Sequence, residues 1–280
     1  MPRTSRIALS LQTPAKATPF LKWAGGKGRL LSQLGPLFPR RFQRYFEPFV
    51  GAGAVFFHLD PAQAVLSDTN PELIACYQVI QQEVDSLIEL LRMYRYDRDF
   101  YYHVRELDPA HLSHVQRAAR MIFLNKTCFN GLWRVNRRGQ FNVPFGDYKN
   151  PKILDEDNLR AVSEALRDVE IHERPFQEIE SEARANDFVY MDPPYHPVSA
   201  TSNFTSYGAD DFKPEDQRRL AATFRQLDAK GCKVMLSNSD TPFIRELYQG
   251  YRIEQVWAPR AINRDASKRG AVSEVVVLNY

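Results

Sequence analysis

The chain has 280 residues, of which 44% are hydrophobic and 25% charged, as in globular proteins built from one large or two modest domains. No apolar run approaches the ~20 residues of a transmembrane helix, and the apolar stretch near the N-terminus is too short for a signal peptide. The 3 cysteines are scattered and form no CxxC pair, which argues against a metal site and predicts a cytoplasmic protein.

The net charge of +3 is distributed unevenly along the chain. Between residues 117 and 152 the only acid is Asp147, and the basic side chains are Arg117, Arg120, Lys126, Arg134, Arg137, Arg138, Lys149 and Lys152. A second basic cluster near the C-terminus contains Arg260, Arg264, Lys268 and Arg269. Such clusters are typical of surfaces that bind nucleic-acid phosphates, although a solvated basic face would have the same composition.

The first predicted elements are two strands that end in glycine-rich or polar turns. Residues 1–17 have the composition of a flexible N-terminal arm. Residues 45–50 form an apolar run that ends at Gly51-Ala52-Gly53, which predicts a strand, a tight turn and the start of a helix. A second short strand is predicted over residues 64–66, and it is followed directly by Ser67 and Asp68.

Two amphipathic helices and a loop-rich segment are predicted next. Apolar residues recur at helical spacing at Val84, Leu87, Ile88 and Leu91, and again at Val115, Ala118, Ala119 and Ile122. Residues 125–152 show no clean period and are rich in Asn, Gly, Arg and aromatic residues. This composition predicts loops and a β-hairpin, with a turn at Arg138-Gly139.

The C-terminal half contains the remaining predicted strands and one long helix. A strand over residues 187–191 ends in Asp192-Pro193-Pro194-Tyr195. A helix begins at Pro214, ends near Gly231, and has an apolar stripe made of Leu220, Phe224 and Leu227. Further strands are predicted over residues 232–236, 251–257 and 272–278.

The order of these elements predicts the fold class. Strands that alternate with helices on both sides of a helical and looped segment indicate an α/β, doubly wound sheet. We expect the core of the protein to comprise residues 18–70 and 150–280. Residues 71–149 are then an inserted domain.

The glycine-rich turn and Asp68 predict a cofactor site. Ligands in an open α/β sheet bind at the carboxyl ends of strands, where Gly51 and Gly53 allow close approach and Asp68 can accept ribose hydroxyls. A dinucleotide fingerprint would need a third glycine where Phe56 stands. The run Gly25-Gly26-Lys27 lacks the first glycine and the Ser or Thr of a phosphate loop. We therefore expect a nucleoside-like ligand without a polyphosphate, and S-adenosyl-L-methionine qualifies.

The motif Asp192-Pro193-Pro194-Tyr195 suits methyl transfer to an adenine amine. The N6 lone pair is delocalised into the adenine ring. When two protein groups accept hydrogen bonds from the two N6–H groups, the lone pair becomes available to attack the methyl group. A carboxylate supplies one acceptor, and a carbonyl held by consecutive prolines supplies the other, because proline fixes φ and has no N–H. The tyrosine offers a face on which a flipped base can stack. In isolation, the four residues could also be an ordinary strand-to-turn stop.

Taken together and in this order, the motifs resemble those of Dam-type (D12 class) DNA adenine-N6 methyltransferases. The resemblance runs from about Pro19 to Tyr280 and includes residues 20–27, 47–53, 130–132, 134, 141–146, 192–195, 203–205 and 237–238. It implies a Rossmann-like, S-adenosylmethionine-dependent methyltransferase core with an inserted, mainly helical target-recognition domain that carries a β-hairpin.

The resemblance also implies roles for individual residues. The catalytic residues are then Asp192, Pro193, Pro194 and Tyr195, and the cofactor contacts are Trp23, Lys27, Phe49, Gly51, Gly53, Asp68, Phe176 and Asp192. The family's recognition module reads GATC in double-stranded DNA. The implied DNA contacts are Lys22 at the first guanine, Leu132, Arg134 and Pro144 at the opposite outer pair, Phe129 in place of an intercalating Tyr, and Asn130, Arg137 and Arg138. Phe129 and Trp133 could instead be core residues.

Several alternatives share parts of this pattern. N4-cytosine methyltransferases usually carry Ser, and glutamine-modifying methyltransferases Asn, at the position of Asp192, which favours adenine. A catalytically inactive DNA-binding relative is disfavoured because both the cofactor and the catalytic motifs are intact, and the basic, hairpin-bearing insert favours DNA over RNA. We expect a monomer that acts on DNA in the nucleoid, either alone or with a companion restriction endonuclease.

Overall fold

A computed structural model describes residues 16–136, 138–198, 212–258 and 272–280 of the chain. Most of the predicted N-terminal arm, Arg137, the motif over residues 203–205 and the basic cluster from Arg260 to Arg269 lie outside these ranges. In the described part of the chain, no helix is long and apolar enough to cross a membrane.

A seven-stranded sheet forms the centre of the fold. Its strands are β1 (Tyr45–Glu47), β2 (Ala64–Asp68), β3 (Glu170–Glu173), β4 (Phe188–Met191), β5 (Lys233–Ser239), β6 (Arg252–Ala258) and β7 (Val272–Leu278). They lie in the order β3-β2-β1-β4-β5-β7-β6, and the pairs are parallel except for the two that involve β7. The protein therefore has a mixed α/β fold with a mostly parallel sheet, as the sequence predicts.

Helices cover both faces of this sheet. They are α1 (Leu31–Leu34), α2 (Ala54–Leu59), α3 (Pro71–Arg92), α4 (Arg98–Glu106), α5 (His114–Thr127), α6 (Glu156–Ala165), α7 (Ile179–Glu182), α8 (Pro214–Ala229) and α9 (Pro242–Leu247). Alternate strand residues enter two hydrophobic layers: Tyr45 belongs to a layer that contains side chains of α2, α3, α5 and α6, whereas its neighbour Phe46 belongs to one that contains side chains of α7, α8 and α9. The period of two along each strand thus buries the sheet on both sides.

The connection from β2 to β3 is long and mostly helical. Its first helix, α3, begins at Pro71, and the side chain of Asn70 caps it by accepting a hydrogen bond from the N–H of Leu73 at 3.1 Å. This helix packs against α5 and also against β2, β3 and α6, so it joins the helical segment to the sheet. The bounds of an inserted domain over residues 71–149 stay a prediction.

A small hairpin follows α5. An antiparallel bridge joins Val135 to Phe141, and the N–H of Gly139 donates to the carbonyl of Asn136 at 2.9 Å. Gly139 has a φ of +75°, a conformation that glycine adopts without strain. The predicted turn at Arg138-Gly139 is therefore present.

The sheet brings three loops together. Because β1 lies between β2 and β4 and is parallel to both, the chain leaves all three strands at the same edge. The glycine-rich turn follows β1, Asp68 ends β2, and Asp192 follows β4 directly. This arrangement places the predicted cofactor and catalytic motifs side by side, as the carboxyl ends of a parallel sheet require.

All the predicted strands are present, but the structure adds elements and shortens one. The first strand ends at Glu47 rather than at Val50, since Pro48 has no N–H to continue the ladder. The sequence did not predict β3, which buries only Ile171 and so lacks an apolar pattern. Helices α4, α6 and α9 were not predicted either.

Candidate active site

A cavity of about 1420 Å³ opens at the carboxyl edge of the sheet. Its lining includes every residue predicted for catalysis or cofactor binding, namely Trp23, Lys27, Phe49, Gly51, Gly53, Asp68, Phe176, Asp192, Pro193, Pro194 and Tyr195. Of the predicted DNA-binding residues that the structure describes, only Arg138 lines this cavity. The hairpin that carries Arg138 therefore borders the cavity, through Val135, Asn136 and residues 138–142, whereas the other described DNA-binding candidates lie outside it.

The glycine-rich turn places bare backbone at the cavity wall. Gly51 and Gly53 have φ values of +49° and +67°, which other residues adopt only with strain. A Cβ atom on Gly51 would lie 2.9 Å from Cδ1 of Trp23, and one on Gly53 would lie 2.7 Å from the hydroxyl of Tyr77. That hydroxyl also donates to the carbonyl of Gly51 at 3.0 Å, so α3 holds the turn in place.

Asp68 directs its carboxylate toward this turn. Oδ2 accepts a hydrogen bond from the N–H of Gly51 at 3.3 Å, and Oδ1 accepts one from the N–H of Asn70 at 3.0 Å. Burial raises the pKa of Asp68 to about 6, while the backbone donors favour its charged form. A carboxylate has about four lone-pair sites, so Asp68 retains acceptors for the hydroxyl groups of a ligand.

Lys27 and Asp192 form the central ion pair of the cavity. Nζ of Lys27 lies 2.7 Å from Oδ2 of Asp192 and donates to the carbonyl of Gly25 at 2.6 Å. Burial raises the pKa of Asp192 to about 6, against the opposing effect of Lys27. Oδ1 of Asp192 is buried and has no hydrogen-bond partner in the described residues. A buried acceptor without a partner is costly, and this one marks a position that suits a donor from a ligand.

A second buried carboxyl, Glu47, ends β1 and lines the same cavity. Sequence reasoning missed it, although an acid within an apolar strand was a usable signal. The hydroxyl of Tyr45 donates to its Oε2 at 2.8 Å. Burial raises the pKa of Glu47 to about 8, so the carboxyl is mostly neutral at pH 7 and adds little negative charge beside Asp192.

The ring of Tyr195 is held by two neighbours. Its hydroxyl donates to Oε2 of Glu274 at 2.8 Å, and Nζ of Lys27 lies 4.8 Å from its ring centroid. Burial raises the pKa of Tyr195 well above its usual value, so the hydroxyl remains a donor. Glu274 was not predicted, although it interrupts the apolar face that Val276 and Leu278 form on β7.

Aromatic side chains form another wall of the cavity. The rings of Phe49 and Phe176 lie 5.3 Å apart at 30°, and Phe212 packs within 6.2 Å of both. An apolar aromatic surface next to a few polar groups is typical of sites that bind planar ring ligands. The wall thus suits a nucleobase, and the cofactor role of Phe49 and Phe176 stays a prediction.

Outside the cavity, Lys22 connects the N-terminal motif to the segment that follows α5. The buried side chain of Asn125 accepts a hydrogen bond from the N–H of Lys22 at 2.8 Å and donates to its carbonyl at 2.7 Å. The same amide donates to the carbonyl of Gly131 at 3.2 Å. Nζ of Lys22 lies 4.5 Å from the ring centroid of Tyr148. Sequence reasoning missed Asn125, whose position on the apolar stripe of α5 was the available signal.

The segment that follows Asn125 presents apolar side chains to solvent. Phe129 is 52% exposed and Leu132 is 39% exposed, and Asn130 and Pro144 are exposed as well. The alternative of a core role is therefore wrong for Phe129. It is correct for Trp133, which is 5% exposed and packs 4.7 Å from the ring of Phe141.

Arg134 is exposed and has one side-chain partner among the described residues. Its Nε donates to Oδ1 of Asn142 at 2.8 Å, while the N–H of Asn142 donates to the carbonyl of Arg134 at 3.1 Å. These contacts fix the base of the guanidinium and leave the N–H groups of its terminal nitrogens available. Arg138, at the hairpin turn, is exposed too.

Comparison with known proteins decides the family. The sequence profile of the D12 class of N6 adenine-specific DNA methyltransferases matches residues 23–262. This chain belongs to that class. The D12 assignment confirms adenine as the target base, in preference to cytosine or a protein glutamine, and it confirms that the protein is a DNA methyltransferase.

Several relatives match this D12 methyltransferase over nearly their whole length. It is 45% identical to the type II methyltransferase M.MjaIII of Methanocaldococcus jannaschii, covering 94% of this chain and 99% of the relative. It is 44% identical to the type II methyltransferase M1.LlaDCHI of Lactococcus lactis subsp. cremoris, covering 94% and 95%. It is 37% identical to the DNA adenine methylase of Escherichia coli strain K12, covering 92% and 94%.

Proposed function

We propose that this enzyme transfers a methyl group from S-adenosyl-L-methionine to N6 of adenine in duplex DNA, within the sequence GATC. The adenine flips out of the helix and enters the cavity at Asp192. The observation that carries this proposal is the buried, unpartnered Oδ1 of Asp192 beside Lys27, in a cavity that also contains Asp68 and the bare glycine-rich turn.

The cavity residues fit the methyl donor. Gly51 and Gly53 allow the backbone to approach it closely, and Asp68 has the acceptor capacity for its ribose hydroxyls. Phe49 and Phe176 offer an aromatic wall for its adenine, and Trp23 and Lys27 complete the set. When bound, the donor supplies a methyl group on a positively charged sulfonium.

The loop after β4 prepares the target amine. Oδ1 of Asp192 and the carbonyl of Pro193 each accept a hydrogen bond from one N6–H, so the nitrogen lone pair turns out of the ring and toward the methyl group. As the new N–C bond forms, the bond between methyl and sulfur breaks with its electron pair left on sulfur, and one N6 proton passes to water. Lys27 keeps Asp192 charged and fixed through Oδ2, which leaves Oδ1 for the substrate. Tyr195 presents a ring on which the flipped adenine stacks. Catalysis then depends on orientation and on preorganised electrostatics.

Target recognition is proposed for side chains within residues 71–149 and for Lys22; of those that the structure describes, Arg138 alone lines the cavity. Lys22 contacts the first guanine, and Leu132, Arg134 and Pro144 contact the outer pair on the other side. Phe129 is exposed, as a side chain that wedges into the space left by the adenine must be. Asn130, Arg137 and Arg138 are assigned to contacts with the DNA.

Methyl transfer with a labelled donor tests the proposal. We expect label to enter an unmethylated duplex with one GATC site and not the same duplex carrying N6-methyladenine on both strands. A duplex with the four bases in scrambled order is the control. Equal labelling of the scrambled duplex would contradict the GATC assignment, whereas labelling of the methylated duplex would contradict the assigned adenine.

The names of two relatives bear on the biological setting. M.MjaIII and M1.LlaDCHI are both called type II methyltransferases. We propose on this basis that the enzyme protects GATC sites from a companion restriction endonuclease. The genes next to its own test this directly, because an adjacent endonuclease gene is expected.

A further inference from the structure

Three buried side chains hold the backbone of residues 192–196, the proposed catalytic loop. Gln217 on α8 donates from Nε2 to the carbonyl of Pro194 at 2.9 Å. Asn238 on β5 accepts the N–H of His196 at 3.1 Å, and Ser239 donates its hydroxyl to the carbonyl of His196 at 2.7 Å. All three side chains are at most 3% exposed.

The two amides are also linked to each other. Nδ2 of Asn238 donates to Oε1 of Gln217 at 3.0 Å. This bond sets the direction of the Gln217 amide, because an Oε1 engaged by Asn238 leaves Nε2 to face Pro194. The orientation of one side chain on β5 therefore determines which polar atom α8 presents to the catalytic loop.

The position of Gln217 shows that packing alone does not require an amide there. Gln217 continues the stripe of Leu220 and Phe224 on the buried face of α8, where an apolar side chain would fill the space. A buried amide is tolerated only when its donors and acceptors are satisfied. Here the bonds that satisfy it lead to the catalytic loop.

These contacts select which acceptors the loop offers to a substrate. Pro193 and Pro194 have no N–H, and the carbonyl of Pro194 is already engaged by Gln217. Within the described residues, no hydrogen bond reaches the carbonyl of Pro193, and Oδ1 of Asp192 is unpartnered. The loop thus presents two neighbouring acceptors, the number that an exocyclic amine with two protons requires.

We propose that Gln217 and Asn238 are positioning residues for methyl transfer. They fix the peptide between Pro194 and Tyr195, and through it the direction of the Pro193 carbonyl, so that this carbonyl and Asp192 meet the target amine together. The inference rests on the proposed role of the loop that begins at Asp192. A misplacement of about 1 Å at a reacting centre can slow a reaction about 100-fold.

The most direct test is Asn238→Asp. The aspartate keeps an oxygen for the N–H of His196 but cannot donate to Gln217, so the Gln217 amide turns and directs its oxygen at the carbonyl of Pro194. We expect the single-turnover methylation rate, measured with saturating donor and duplex, to fall about 100-fold. Gln217→Met, which removes the same bond without adding a charge, should give a similar loss.

Further measurements separate positioning from general damage. The affinities for duplex and donor should stay near those of the unaltered enzyme. The fluorescence rise of 2-aminopurine at the target position should persist, because this base lacks the 6-amine and reports flipping alone. A fall in rate through weaker binding or lost flipping would overturn the inference.

Asn279→Ala is the matched control. Asn279 fixes the other end of β5: its Oδ1 accepts the N–H of Val234 at 2.7 Å, and its Nδ2 donates to the carbonyl of Cys232 at 2.8 Å. Its loss should lower the melting temperature without slowing methyl transfer in the folded enzyme. An equal slowing by Asn279→Ala would overturn the inference, and so would unaltered rates in both test variants.

Asp192→Ala, assayed in parallel, distinguishes failure of the positioning role from failure of the proposed active site. If Asp192→Ala is inactive while Asn238→Asp and Gln217→Met retain the full rate, only the positioning role fails. If Asp192→Ala is active, the proposed active site fails and the inference fails with it. All variants are compared at a temperature at which circular dichroism shows each to be folded.

Discussion

The loop proposed to be catalytic and the segment proposed to recognise DNA are built in opposite ways. The loop over residues 192–196 is tied down by an ion pair, a tyrosine–glutamate bond and three buried side chains. The segment over residues 129–134 instead places Phe129, Leu132 and Arg134 on the surface. The difference is the one that the proposed function requires: acceptors for the target amine that are fixed before the substrate arrives, and DNA-reading side chains that complete their contacts only with the duplex.

The largest expected effect lies in the loop over residues 192–196. Asp192→Ala removes an acceptor for N6 and leaves the buried ammonium of Lys27 without its carboxylate. We expect methyl transfer to fall about 1000-fold or more, since loss of a single preorganised transition-state contact already costs 100- to 1000-fold. Duplex binding, measured by fluorescence anisotropy, should change little, because the recognition segment is untouched.

Asp240→Ala serves as the control for the loss of a carboxylate. Asp240 bonds to Arg245, Gln255 and Ser273 and does not line the cavity. It should affect stability alone. Normal turnover by Asp192→Ala would overturn the assignment of the active site.

Lowering the pH should change the methylation rate and the stability of the protein in opposite directions. Burial raises the pKa of Asp192 and of Asp68 to about 6, so both lose their charge as the pH falls through that value. The methylation rate at saturating donor should fall about tenfold per pH unit below 6.

The stability effect of these two groups has the opposite sign. Because their pKa values are higher in the folded protein than in the unfolded chain, the folded state binds more protons between about pH 4 and 6. Protonation of Asp192 and Asp68 therefore stabilises the fold as the pH falls from 6 to 4, while activity is lost. Rate and melting temperature measured over this range check both signs. A rate that falls only together with unfolding would contradict the assignment.

A smaller effect is expected at Asp68, the residue proposed to bind the ribose of the methyl donor. Asp68→Ala removes a charged acceptor for the ribose hydroxyls, and hydrogen bonds to charged groups contribute about 1.5–3 kcal/mol. Titration calorimetry should show donor affinity reduced by this amount, with duplex affinity unchanged. Asp68→Asn, which keeps one acceptor oxygen, should lose less. Unaltered donor affinity in Asp68→Ala would mean that other residues hold the ribose.

The sequence could predict that Gly51, Asp68 and Asp192 lie close together because these residues follow strands directly. Gly51, Asp68 and Asp192 come at or just after the ends of β1, β2 and β4, and parallel strands bring such positions together whatever the details of packing. The same logic gave the α/β class. It could not give β3, where only Ile171 is buried, because a strand at the sheet edge needs little apolar surface.

The residues that hold the site in place were harder to predict. Gln217, Asn125 and Glu274 act from elements far away in the sequence, and their partners are mostly backbone groups, which no motif records. Their shared signal is a polar residue on an otherwise apolar face. That signal indicates a buried hydrogen bond but does not name the partner, which only the three-dimensional arrangement supplies.

The smallest expected effect concerns the exposed segment over residues 129–134 and tests whether its side chains read bases. Asn142 engages Nε of Arg134 at 2.8 Å, which leaves the terminal nitrogens free for a bidentate bond to guanine. Arg134→Ala should therefore lose about 1–3 kcal/mol of discrimination at one outer base pair, so that duplexes altered at that pair are methylated almost as well as GATC. Arg138→Ala is the matched control: as a phosphate contact, it should weaken all duplexes alike and make the salt dependence shallower. Methylation rates on a set of singly altered GATC duplexes distinguish the two outcomes. If Arg134→Ala lowers every rate equally and keeps the preference for GATC, Arg134 contacts the DNA backbone, and other residues of the enzyme recognise the GATC sequence.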